Sequence, residues 1–142
     1  MIVVDASVAV KWLIAEEGAA AARALLAGDE LLFVPSLAKV EVSGAVLRKH
    51  RAGMLDEDEV RGCIGLWNDL LSETVQVVAF EELIDRAVRI AIACAHPLTD
   101  CVYVAAADQL GAALITADAA LQARCKKAHA AITLLVTAAT PH

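Results

Sequence analysis

Asp5, Glu41, Asp100 and Asp118 are the residues of this chain on which chemistry is most readily built. Asp5 directly follows the β-branched run Ile2, Val3 and Val4. Asp118 follows Leu114, Ile115, Thr116 and Ala117, so both acids stand at the C-terminal ends of apolar strands. In open parallel sheets that edge is where sites form, near the switch in strand order. Glu41 is expected on a helix whose inward stripe runs through Leu37, Val40, Gly44 and Leu47. A carboxylate on such a stripe is costly unless something compensates it. Asp100 precedes Tyr103, Ala107 and Leu110 and so falls on the apolar stripe of its own helix, in the first turn, where the dipole favours an anion. Each acid also has a plainer role. Asp5 and Asp118 suit helix caps, Asp100 a first-turn anion, and Glu41 a salt bridge to Lys11 or Arg48.

Brought to one edge, four carboxylates repel unless some take up protons or a cation sits between them. An all-oxygen set without His or Cys suits Mg²⁺, or Mn²⁺ in its place, rather than zinc. Such a site points to hydrolysis of a phosphodiester, with a cation lowering the pKa of the attacking water and a second position stabilising the leaving oxygen. Ser7 and Thr116 each stand two residues from an acid, and are the supporting candidates. Their hydroxyls orient a water or a carboxylate in that reading; capping or backbone bonding is the plainer one.

The elements that must position these groups alternate along the chain. Residues 2–4, 31–34, 74–78, 112–116 and 132–136 read as short apolar strands. Helical patterns fill 7–14, 17–27, 36–51, 56–71, 80–95, 100–110 and 118–127, with Ser36 and Thr99 as caps and Asp56 with Glu59 as a capping box. His96 and Pro97 break one helix from the next. Uniformly apolar strands separated by helices predict a single α/β domain over 1–142 with a mainly parallel central sheet covered on both faces, and a loose tail from about 137.

Composition bounds the rest. A chain of 142 residues with 59% hydrophobic content suits one core, while 4% aromatics speaks against a base-stacking platform and leaves Trp12 and Trp67 to packing or an interface. The net charge of −6 speaks against generic nucleic-acid binding through backbone neutralisation, but not against a nuclease that meets phosphates through a cation. No apolar run approaches the ~18 residues of a membrane span, and the N-terminus lacks a basic region before its apolar stretch, so a cytoplasmic protein without membrane attachment is expected. Cys63, Cys94, Cys101 and Cys125 form no CxxC pair and read as reduced, mostly buried thiols. Lys11, Arg48 and Lys49 are the candidate contacts to phosphates, with a solvated helix end or a snorkelling lysine as the plainer reading.

The blocks VVDASVAVKWL, VPSLAKVEVSGAVLRK and TDCVYVAAADQLGAALITAD, with AALQ after the last acid, closely resemble the PIN-domain family, and within it the VapC-type toxins of toxin–antitoxin pairs. The resemblance implies a three-layer α/β/α PIN-like domain, an acidic Mg²⁺ pocket and endoribonuclease activity on RNA. It maps the family's four acids onto Asp5, Glu41, Asp100 and Asp118, and its hydroxyl residue onto Thr116. It also implies a homodimer and a cognate antitoxin that enters the acidic groove. The chain departs from the family pattern at Gly44, where many members carry Asn, and at Cys101, where Ala is common.

The competing reading is a catalytically silent PIN-fold binding module, whose mark would be a missing acid or a blocked groove; all four acids are present. A phosphorylation-controlled receiver needs an acidic pair after the first strand and a phospho-acceptor after the third. A haloacid-dehalogenase-type phosphatase needs DxD, where this chain has Asp5, Ala6 and Ser7.

Overall fold

The computed structural model describes residues 1–129 and 131–136. The tail expected to be loose from about 137 lies outside them. Five parallel strands form one sheet: β1 (Ile2–Val4), β2 (Leu32–Pro35), β3 (Gln76–Val78), β4 (Ala113–Thr116) and β5 (Ile132–Leu134). Their order is β3-β2-β1-β4-β5, so β1 is central and pairs with β2 on one side and β4 on the other. The chain moves outward in one direction from β1 to β3, then returns to β1's other side for β4. The C-terminal ends of β1 and β4 therefore flank the switch in strand order, where open α/β sheets form their crevice.

Helices flank this sheet: α1 (Ala6–Ala9), α2 (Ala19–Leu26), α3 (Ala38–Arg51), α4 (Glu57–Glu73), α5 (Ile84–Cys94), α6 (Leu98–Leu110) and α7 (Ala119–Cys125). The parallel α/β architecture expected from the alternating pattern is the one observed. No single helix among the described residues is long and apolar enough to cross a membrane. Helix α6 packs against β1, β2, β4 and α5, and its residues Cys101 through Ala107 are all buried. Its small side chains allow this close approach, and its Tyr103 is among the largest fully buried side chains. Trp12 and Trp67 are buried against one another with centroids 6.4 Å apart, and Trp12 Nε1 donates to the Ala22 carbonyl at 2.8 Å. They are packing residues, one of the two roles expected of them.

Several local expectations are corrected. The first helix does not run through 7–14. It tightens after α1 into a 3₁₀ turn over Val10–Trp12, which seats Trp12 in the core. Likewise residues 80–95 divide into a 3₁₀ turn, Phe80–Leu83, and α5. Ser36 does not cap α3; its Oγ accepts from the Phe80 N–H at 3.0 Å, tying the end of β2 to the turn after β3. Thr99 does not cap α6, which begins one residue after Pro97. Proline has no N–H to lose and its fixed φ suits a helix start, so the break at 96–97 is also the next helix's first step. Asp56 and Glu59 do form the reciprocal capping box of α4. The edge strands are less covered than uniform apolarity predicts, with Gln76, Val77 and Thr133 exposed.

The stripes assigned to α3 and α6 also differ. The buried face of α3 is Ala38, Val42 and Val46, while Val40 is 73% exposed and Leu47 43%. Glu41 flanks that face rather than lying in it. Helix α6 has no stripe at all over its buried stretch, because sheet and α5 enclose it together.

Candidate active site

The sheet edge at the β1/β4 switch gathers the four acids. Asp5, Glu41, Asp100 and Asp118 line one cavity of about 240 Å³, together with Ala6, Ser7, Val10, Ala45 and Arg48. A larger cavity, about 510 Å³ and mostly apolar, lies between the segment 13–15 and α4; Glu59 is its one carboxylate, so size does not locate the chemistry.

Each acid reaches the cavity by a different device. Asp5 is the residue after β1, 4% exposed. It stands at the N-cap of α1 but makes no side-chain capping bond. Instead Ser7 Oγ and Thr116 Oγ1 both donate to its Oδ2, at 2.6 and 2.7 Å. Those hydroxyls also accept from the backbone. Ala117 N–H donates to Ser7 Oγ and Asp118 N–H to Thr116 Oγ1, each at 3.0 Å. The two strand ends are thereby stitched together around one carboxylate oxygen. Both hydroxyls thus orient a carboxylate and also make the backbone bonds of the plainer expectation.

Asp118 caps α7, its Oδ1 accepting from Ala120 N–H at 2.9 Å and Leu121 N–H at 3.1 Å. The expected capping role is met, and the same side chain lines the cavity. Glu41 enters from the first turn of α3, and its Oε1 accepts a 2.6 Å bond from the Tyr103 hydroxyl. The ordinary partner expected for it was Lys11 or Arg48. Lys11 is turned away to Glu16 Oε1 at 3.2 Å and the Glu17 carbonyl at 2.7 Å. Arg48 lines the cavity, and its charge favours the Glu41 anion. A Cβ placed at Gly44 would come 3.8 Å from the Arg48 guanidinium, so the space beside that glycine is where the arginine lies. Lys49 pairs with Glu16 at 3.3 Å. Of the three basic candidates, Arg48 is the one that faces the acids.

Asp100 sits in the first turn of α6, half-buried, with Oδ2 2.8 Å from His96 Nε2. His96, Asp100 and Asp118 each bring a ligand-capable atom within 4.8 Å of the other two. His96 and Tyr103 are the residues that sequence reasoning passed over. His96 read as part of a helix break, and Tyr103 as a core position. The signal for His96 was its place four residues before Asp100. Nothing in one sequence announces that a buried tyrosine hydroxyl meets a glutamate 62 positions away.

Burial and like charge set the electrostatics of the cavity. Burial raises the Asp5 pKa first of all; the Ser7 and Thr116 hydrogen bonds oppose it, and the Asp100 charge adds to it. Glu41 is likewise raised by burial, with the Tyr103 bond lowering it and the charges of Asp5 and Asp100 raising it. Four converging carboxylates with a single arginine among the lining residues are short of positive charge. A hard divalent cation fits both the four carboxylates and the deficit. Asp5, Glu41, Asp100 and Asp118 are the residues that would hold it. The thiols are set apart from this chemistry. Cys94, Cys101 and Cys125 are buried and free, and burial with neighbouring thiols pushes Cys125 up to about 12.

The PIN domain family model matches residues 2–127. The chain belongs to the PIN-domain family. Over 118 residues, 82% of this chain and 88% of the relative, the PIN sequence is 29% identical to Ribonuclease VapC3 of Pyrobaculum aerophilum. The fold is similar to the crystal structure of PAE2754 from the same organism, with a TM-score of 0.69 at 23% identity, covering 94% of this chain and 88% of that one. It is also similar to VapC20 of Mycobacterium tuberculosis, described as a sarcin–ricin-loop-cleaving toxin. There the TM-score is 0.66 at 18% identity, over 87% of this chain and 94% of that one. At these identities the two structures speak to the PIN fold.

Proposed function

We propose that this PIN-domain protein is a divalent-metal-dependent endoribonuclease and the toxin of a toxin–antitoxin pair. The observation that carries the reading is the convergence of Asp5, Glu41, Asp100 and Asp118 on one cavity at the β1/β4 switch. The ribonuclease relative, aligned over most of both chains, supports RNA as the substrate class. A cognate antitoxin, a homodimeric state and a cytoplasmic setting belong to the same reading through the family.

Bound Mg²⁺ or Mn²⁺ would supply Lewis-acid activation of a water and neutralisation of the leaving oxygen. The chain's own residues do the positioning. Ser7 and Thr116 hold the Asp5 carboxylate, so its orientation is set before any ligand arrives. The Tyr103 hydroxyl fixes one Glu41 oxygen and favours its charged form, opposing the rise that burial imposes. Asp118 keeps one oxygen on the α7 backbone, which fixes where the carboxylate sits. Arg48, exposed at the same cavity, would meet a phosphate that the carboxylates alone would repel.

The test is cleavage of total cellular RNA by purified protein, with 5′-end mapping. Cleavage is expected with Mg²⁺ or Mn²⁺, and none with EDTA or in Asp100→Asn with its fold intact. A parent and an Asp100→Asn variant that are equally inactive on RNA, yet equally toxic on induction, would point instead to the silent binding module.

A further inference from the structure

The turn between α5 and α6 carries a buried histidine that the residues already assigned do not account for. Ala95 ends α5 in the left-handed region, φ 50°. His96 follows, its side chain 4% exposed, and its Nε2 lies 2.8 Å from Asp100 Oδ2. The other ring nitrogen, Nδ1, is buried and has no hydrogen-bond partner among the described residues.

Two roles compete for this ring: ligation of a cation through Nε2, or donation from Nε2–H to the Asp100 carboxylate. The unpartnered Nδ1 decides between them. Ligation through Nε2 places the ring proton on Nδ1, as a buried N–H with no acceptor. Metal-bound imidazoles almost always give that N–H to a carbonyl or carboxylate, and orphaned buried N–H groups are rare. Donation from Nε2–H leaves only an unfilled lone pair on Nδ1, the smaller cost.

We propose that His96 is a positioning residue. Its Nε2–H fixes the Asp100 carboxylate in the orientation that completes the four-acid cavity. The proposal rests on the cation-binding reading of that cavity. The Asp100 side chain is 33% exposed and has no other side-chain partner among the described residues. Without the imidazole it would have to be ordered at the moment of binding, at the expense of affinity. Glutamine supplies the same donor, because its amide nitrogen reaches as far from the backbone as Nε2; leucine fills similar space with no donor; asparagine is too short.

The experiment is calorimetric titration of Mn²⁺ into RNA-free protein, with melting temperatures alongside. His96→Leu is expected to bind about 10- to 100-fold more weakly than the parent, and His96→Gln to recover most of that loss. Should His96→Leu not fold, His96→Asn takes its place, with the same weakening expected relative to His96→Gln. Parental affinity in the donorless variant overturns the proposal. So does a His96→Gln as weak as that variant, since the ring itself would then be needed. A parent that binds no Mn²⁺ fails at an earlier and distinguishable point: it overturns the cation reading, and this inference with it.

Discussion

The Tyr103 hydroxyl donates a 2.6 Å hydrogen bond to Glu41 Oε1, joining the helix that carries Asp100 to the helix that carries Glu41. The tyrosine is fully buried, and burial, then the bond to Glu41, raises its pKa so that the phenol stays a donor. Two acids from distant parts of the chain are thereby set by one core helix.

Tyr103→Phe removes only that donor. Glu41, already raised by burial, should rise further, so Mn²⁺ binding should move to higher pH than in the parent. The stability cost should be about 1 kcal/mol, the usual net worth of one hydrogen bond. Mn²⁺ titrations at several pH values and urea melts read the two effects separately. Superimposable pH profiles would remove Tyr103 from the site.

Asp5 and Glu41 have folded pKa values above their ordinary 3.8 and 4.5. Between those values and the raised ones the folded state binds more protons than the unfolded chain, so stability falls as pH rises through that window. In EDTA, urea melts should therefore show less stability at pH 7 than at pH 5. Mn²⁺ binds the deprotonated acids, so its addition should reverse the slope and raise the melting temperature at pH 7 by on the order of 5–10 °C at 100-fold excess over Kd. Asp5→Asn should flatten much of the EDTA slope.

Asp118 has two duties that substitution can separate. Asparagine keeps an acceptor for the Ala120 and Leu121 N–H groups, so Asp118→Asn should melt within a few tenths of a kcal/mol of the parent while losing Mn²⁺ affinity. Asp118→Ala should lose that affinity and about 1 kcal/mol besides. Equal stability in the two variants would show that the cap contributes nothing.

Thr116→Val is nearly isosteric but deletes a fully buried hydroxyl that donates to Asp5 and accepts from the Asp118 N–H. The loss should be about 1–3 kcal/mol, since both partners are left short. Ser7→Ala, at a half-buried position, should cost less. Urea denaturation of the pair orders them, and a Thr116→Val melt matching the parent would contradict the stitched geometry.

Much of this was legible in the chain. Apolar runs ending in Asp5 and before Asp118 marked two parallel strands and the edge where a site forms, because strand ends are encoded locally by composition. Capping residues behave the same way, as Asp56 and Glu59 show. Position at strand ends also singled out Asp5 and Asp118, which line one cavity with Glu41 and Asp100.

Tertiary structure decided what those acids meet. Helix α6 is enclosed by the sheet and α5, so no periodic stripe could reveal its facing, and the stripe read on α3 was rotated from the buried one. Tyr103 finding Glu41 and Thr116 finding Asp5 are encounters between segments far apart in the chain. Lys11 and Lys49 turned instead to Glu16, leaving Arg48 with the acids. Residue types set which groups seek partners, because burial makes an unpaired carboxylate or hydroxyl costly; only the packing of helices on the sheet settles which partner lies within 3 Å of each.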